Sequence, residues 1–335
     1  MRYPEKLKKG DTIGICAPSA GIEEEDLKIL DLAIKNLEEL GYKVIETESV
    51  RKNNKGKSTS AKQRAKEFMS LMENKDIKLI IFAAGGDFEY EMLDELDFEK
   101  LKKLPPKWIQ GYSDNTNLGF LFNTILEVPS IYCDGIKKYA MKPLYRNLVD
   151  ALKIASGEEI VQNSFEKYEK TKKEDGQLGY NLTENVEWKN IKGEKKIEIT
   201  GRSIGGCFDI VEELIGTKYD KVKEYIGKYK KDGIIWFLEC CEMSTAQVQR
   251  KIWQMKSAGY FENTKGIIFG RPLFCREDYE ITFEEAVKEA TKDLNIPVIC
   301  GADIGHVAPQ IAMVNGAIIK VTSENKKGKV ETYFK

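Results

Sequence analysis

What this 335-residue chain has little of does much to narrow its chemistry. It holds one histidine, His306, so a neutral-pH proton shuttle of the ordinary kind has a single candidate imidazole. It has almost no net charge, with 53 Lys and Arg against 54 Asp and Glu, which argues against a nucleic-acid polymer or an anionic membrane as its main partner. A small neutral or zwitterionic ligand fits that balance better. No stretch approaches the ~18 consecutive apolar residues of a membrane span, and Met1-Arg2-Tyr3-Pro4 opens no signal-peptide pattern, so the expected location is the cytoplasm. The seven cysteines are an odd number in apolar contexts without metal-ligand spacing, and they read as reduced core thiols. What is present in quantity, 41% hydrophobic residues over this length, is enough for two domains with separate cores.

The first part alternates strand and helix signals. Asp11 to Ala17 has the apolar continuity of a strand buried on both faces, and Leu27, Leu30, Ile34 and Leu37 mark one helical face ending near Gly41. Lys43 to Glu46 resumes strand character. After a lysine-rich loop and a helix carrying Ala65, Phe68 and Met72, Lys78 to Ala84 is the next buried strand, ending in Gly85-Gly86. Then comes Trp108-Ile109-Gln110-Gly111-Tyr112-Ser113-Asp114, read as strand, sharp turn and helix start, with Leu118, Phe120, Leu121 and Ile125 continuing at helical spacing. Such alternation predicts an open, mostly parallel sheet, whose ligand crevice lies beyond the carboxyl ends of its strands, where Gly85, Gly86 and Ser113 fall together.

The domain reading is an N-terminal α/β domain over residues 1–155, a linker or loop excursion over 156–200 and a C-terminal domain over 201–335. In the excursion Glu and Lys dominate, Gly176, Gly179 and Gly193 interrupt any period, and Trp188 is either a loop anchor or a ligand contact. Gly201 to Gly206 reads as a turn into a helix, lacking a Walker lysine and a Rossmann spacing. Gly233 to Glu239 and Gly266 to Arg271 are strands. A further strand, Ile296 to Gly301, leads into the turn that carries His306, and the tail closes as a hairpin.

Ser113, Glu239 and His306 each follow a buried strand, on loops where side chains can converge. Serine is a weak nucleophile until a base takes its proton, and the imidazole needs a carboxylate to hold its tautomer. For each residue a plainer role stands beside the chemical one: Ser113 or Asp114 as a helix cap, Glu239 as edge decoration, His306 as incidental. Gly111 to Asn115 is not the Gly-x-Ser-x-Gly elbow, which argues against an α/β-hydrolase fold.

Taken together, Gly10-Asp11, Ala17-Pro18-Ser19, Arg64-Ala65, Gly85-Gly86, Gly111-Tyr112-Ser113-Asp114, Gly205-Gly206, Phe237-Leu238-Glu239, Gly266 to Gly270 and Gly305-His306 resemble the LD-carboxypeptidase family of serine peptidases, and its microcin C immunity (MccF-like) branch. The resemblance implies a flavodoxin-like N-terminal domain and a β-rich α/β C-terminal domain. It implies Ser113 as nucleophile, His306 as general base and acid, Glu239 orienting the histidine, and an oxyanion hole from the backbone N–H groups of Gly86 and Asp114. It implies no metal or cofactor, and a homodimer. Cys240-Cys241, Asp87-Phe88 and Val314-Asn315-Gly316 depart from the family pattern and bear on the substrate. The branch points to hydrolysis of a peptidyl- or aminoacyl-nucleotide amide, with Trp188 stacking on the base; the wider family points to release of a terminal D-amino acid from muropeptides. A non-catalytic binding protein of two lobes is the reading from another class.

Overall fold

A computed structural model describes residues 1–173 and 177–335, so Gly176 lies outside the described residues. The chain divides into two compact units, one of residues 1–158 with 173–179, the other of 159–172 with 180–335.

The first unit runs β1 (Thr12–Cys16), α1 (Leu27–Glu39), β2 (Lys43–Glu46), α2 (Ala61–Glu73), β3 (Ile77–Phe82), α3 (Tyr90–Leu93), α4 (Phe98–Lys103), β4 (Trp108–Gly111), α5 (Thr116–Thr124), β5 (Ser130–Tyr132) and α6 (Arg146–Ala155). Its strands pair in parallel in the order β2-β1-β3-β4-β5. That is the flavodoxin-like order, and the expected fold class holds. Each element follows from its residues. β1, set between β2 and β3 in the sheet, is buried along its whole length, which is why it reads as an unbroken apolar run. In α1 the buried Leu30, Ala33 and Leu37 share one face, and Gly41 ends the helix at φ +91°, where a side chain would be strained. In α2 the Ser60 hydroxyl caps the amino end by accepting from Gln63 N–H at 3.3 Å.

The second unit runs β6 (Ile160–Asn163), β7 (Lys167–Tyr168), β8 (Glu184–Asn185), β9 (Lys189–Asn190), β10 (Lys196–Cys207), α7 (Phe208–Val211), α8 (Val222–Lys228), β11 (Ile234–Glu239), α9 (Thr245–Ser257), β12 (Thr264–Gly270), α10 (Phe283–Ala290), β13 (Val298–Ala302), β14 (Met313–Asn315), β15 (Ile318–Glu324) and β16 (Lys327–Tyr333). A sheet in the order β6-β16-β15-β10-β11-β12-β13-β9 carries it, parallel from β10 to β13 and antiparallel outside them.

Two readings of the sequence change here. Gly201 to Gly206 is strand, the carboxyl half of β10, and the helix starts only at Phe208. Its glycines serve close packing: a side chain at Gly205 would run into the Phe237 carbonyl of β11. The 156–200 excursion contains β6, β7, β8 and β9, of which β6 pairs with β16 and β9 with β13. β7 and β8 are two-residue strands that pair with each other, and β6 and β9 find partners more than a hundred positions away, so none carries a local period and all read as loop.

Candidate active site

In the first unit the strand-turn-helix around Ser113 is formed as expected. β4 ends at Gly111, a single 3-10 turn spans Ser113–Asn115, and α5 follows. Ser113 adopts φ +63°, left-handed backbone that a non-glycine residue holds at a cost of about 1–3 kcal/mol. The bend lifts its side chain off the strand end, toward the loop after β3: a side chain at Gly85 would sit 3.0 Å from both Ser113 Cβ and Oγ. Gly86, at φ +146°, has no room for a Cβ beside the Ser19 hydroxyl. Ala20 N–H donates to the Gly85 carbonyl at 3.1 Å, so the loops after β1 and β3 are joined next to Ser113. The Asp114 N–H lies at the amino end of this helical segment, where backbone donors lack intrahelical partners.

Behind the serine is a polar network that sequence reasoning missed. The Asp114 carboxylate accepts from the Ser19 hydroxyl, from Glu89 N–H at 2.9 Å and from Asn117 Nδ2 at 3.0 Å. Buried Glu89 accepts from Asn115 Nδ2 at 2.7 Å and from Leu118 N–H at 3.2 Å, which caps the helix leading away from Ser113. Burial, and then the neighbouring Asp114 charge, push the Glu89 carboxyl well above its usual range. A glutamate in Asp87-Phe88-Glu89-Tyr90 looks like a surface residue, and no sequence signal distinguishes it.

In the second unit the structure brings Glu239 and His306 together. Glu239 ends β11, fully buried, and His306 lies on the loop after β13 with its side chain 12% exposed. The imidazole Nδ1 is 2.9 Å from one carboxylate oxygen and 3.0 Å from the other. Gly305, at φ +96°, makes the approach possible, since a side chain there would collide with the Glu239 carboxylate. Burial disfavours the imidazolium, but the Glu239 charge and the Cys241 thiol outweigh it and raise the His306 pKa from 6.5 to about 10. Cys241, singled out in the sequence only as a departure from the family pattern, is therefore a neighbour of the imidazole. Its backbone is held by Asp209, which accepts from Cys241 N–H at 3.0 Å and Glu242 N–H at 3.1 Å. All seven cysteines are free thiols, and Cys241 is half-buried. Among the described residues no cluster of His, Cys, Asp and Glu could hold a metal ion, and no helix is long and apolar enough to cross a membrane.

Trp188 requires a correction. Expected as a candidate for stacking on a ligand, it is 1% exposed, donates its indole N–H to Asp303 at 2.9 Å and packs its ring on Gly328, where no side chain fits. A ring enclosed in this way has no free face for a base. It anchors the loop that carries it to the unit's own core.

Comparison with known proteins agrees with this architecture. Residues 13–133 match the LD-carboxypeptidase N-terminal domain and residues 200–321 the LD-carboxypeptidase C-terminal domain. The chain is 27% identical to the microcin C7 self-immunity protein MccF of Escherichia coli, over 96% of this chain and 93% of that protein. It is 24% identical to a probable murein peptide carboxypeptidase of Bacillus subtilis, over 98% and 94%. The solved structure of MccF in complex with glutamyl sulfamoyl guanosine superposes with a TM-score of 0.80 at 23% identity, covering 100% of this chain and 99% of that one, a likeness of fold. With both domains matched in order and most of the length covered, the chain belongs to the LD-carboxypeptidase family of serine peptidases.

Proposed function

We propose that Ser113, His306 and Glu239 work as one triad that hydrolyses the amide of peptidyl- or aminoacyl-nucleotide compounds of the microcin C kind. The observation that carries the triad is the His306–Glu239 pair, a buried carboxylate on the imidazole Nδ1 that leaves Nε2 to exchange a proton with substrate. In this reading Ser113 Oγ attacks the amide carbon as His306 takes its proton. The oxyanion is held by the N–H groups of Gly86 and Asp114, and His306 passes the proton to the departing amine. Water then hydrolyses the acyl-enzyme by the same relay. Support for the substrate is the similarity to MccF along nearly the whole chain.

A second reading, release of the terminal D-amino acid from muropeptides, is favoured by the burial of Trp188, which removes the aromatic platform for a base. The similarity to the murein peptide carboxypeptidase supports it as well. A serine-reactive phosphonate tests the chemistry: labelling of Ser113 supports the triad, and its absence favours a binding protein without catalysis. A turnover screen of aminoacyl sulfamoyl adenylates against muropeptides decides the substrate. The family resemblance also supports a cytoplasmic homodimer, which cell fractionation and sedimentation test.

A further inference from the structure

His306 lies within a bend that one guanidinium fastens on both sides. Arg271 is the first residue after β12, whose neighbours in the sheet are β11, ending in Glu239, and β13, leading to His306. Its Nη1 donates to Asp303 Oδ1 at 2.6 Å, three residues before the histidine. Its Nη2 donates at 2.8 Å to the carbonyls of Val307 and Pro309, one and three residues after it. The other Asp303 oxygen accepts from Trp188 Nε1 at 2.9 Å and Phe165 N–H at 3.2 Å, so the fastening point is itself tied to the core. The Tyr168 ring lies 5.0 Å from the guanidinium carbon. At the preceding position, Gly270, a side chain would strike the Ile304 carbonyl and come within 2.9 Å of Glu239 Cβ. The end of β12 thus bonds or abuts the chain on either side of His306 and lies against the side-chain stem of Glu239, whose carboxylate His306 meets.

We propose that Arg271 is a positioning residue for the His306–Glu239 pair, holding the 303–309 bend so that the imidazole keeps its Nδ1 on the carboxylate. This rests on the reading of His306 as the base. The plainer role, a counter-charge for buried Asp303, needs one donor on one carboxylate. It does not call for two further bonds to carbonyls beyond the histidine. Arginine suits the task because its planar fork serves the carboxylate and both carbonyls from one rigid group, whereas a lysine ammonium on a flexible stem cannot span them in that geometry. A displacement of about 1 Å at a catalytic group can lower turnover by ~100-fold.

As the single histidine, His306 gives an NMR signal that needs no assignment, and the groups facing it are Glu239 and the Cys241 thiol. In folded Arg271→Lys the imidazole titration should fall by about one pH unit or more toward the ordinary value as the contact with Glu239 loosens. Turnover should drop by about 10- to 100-fold with KM little changed. Should that variant fail to fold, Arg271→Gln with Asp303→Asn removes both charges and leaves no lone buried carboxylate, and the same shift is expected. A folded variant of either kind whose imidazole titrates as in the parent protein would overturn the proposal and leave Arg271 as a counter-charge. If the parent protein neither reacts with the phosphonate nor hydrolyses any substrate, the triad reading fails, while the titration still decides whether Arg271 positions the imidazole.

Discussion

His306 Nδ1 sits 2.9 Å and 3.0 Å from the two carboxylate oxygens of Glu239, a group with no exposed surface. A carboxylate only accepts, so Nδ1 carries a proton and the neutral imidazole keeps its lone pair on Nε2. Because the Glu239 charge raises the His306 pKa above 6.5, the imidazolium persists to higher pH than in an ordinary histidine, and the base form gains population as pH rises. The acidic limb of kcat/KM should therefore lie well above 6.5 and coincide with the imidazole titration seen by NMR. In Glu239→Gln the raising charge is gone while burial stays, so the titration should move down, below that of the parent protein. A midpoint unchanged by this substitution would show that Glu239 does not govern the imidazole.

On the proposed mechanism Ser113→Ala should lower turnover by roughly a thousandfold or more, because a nucleophile acts in the transition state and adds little to packing. Thermal unfolding should change by little, as alanine inherits the same left-handed backbone at φ +63°. Near-parental turnover in the folded variant would remove the serine mechanism.

His306→Ala should be about as damaging as Ser113→Ala, with the double variant scarcely worse than either, since members of a triad act as a unit. Steady-state kinetics of the three proteins check this. Losses that multiply would assign the two residues to separate steps.

Trp188→Phe should act on stability first. It removes the indole donor from Asp303 Oδ2 and should cost about 1–3 kcal/mol, read from urea unfolding. Because the ring is enclosed, activity on aminoacyl-nucleotide and muropeptide substrates should fall together, if at all. A selective loss on the nucleotide substrate would restore the stacking role that the burial of Trp188 argues against.

Much of the candidate site's placement was readable from local pattern. Buried parallel strands are continuous apolar runs, so the strands before Ser113 and Glu239 could be placed, and a residue just past such a run must lie at the carboxyl end of a sheet. The solitary His306 needed only a count. What local pattern could not show depends on residues far apart in the chain. Gly201 to Gly206 looked like a turn because glycines suit turns, yet in β10 they let one strand back onto the Phe237 carbonyl of the next. Trp188 looked available because its loop is polar, and its burial depends on Gly328 and Asp303, each more than a hundred residues away. Arg271 gave no sign of its reach into the histidine bend. The sequence by itself determined which residue types stand at the strand ends. Only the tertiary structure, by setting β11, β12 and β13 side by side, decided that a carboxylate, a guanidinium and an imidazole from those ends bond to one another or to the same bend.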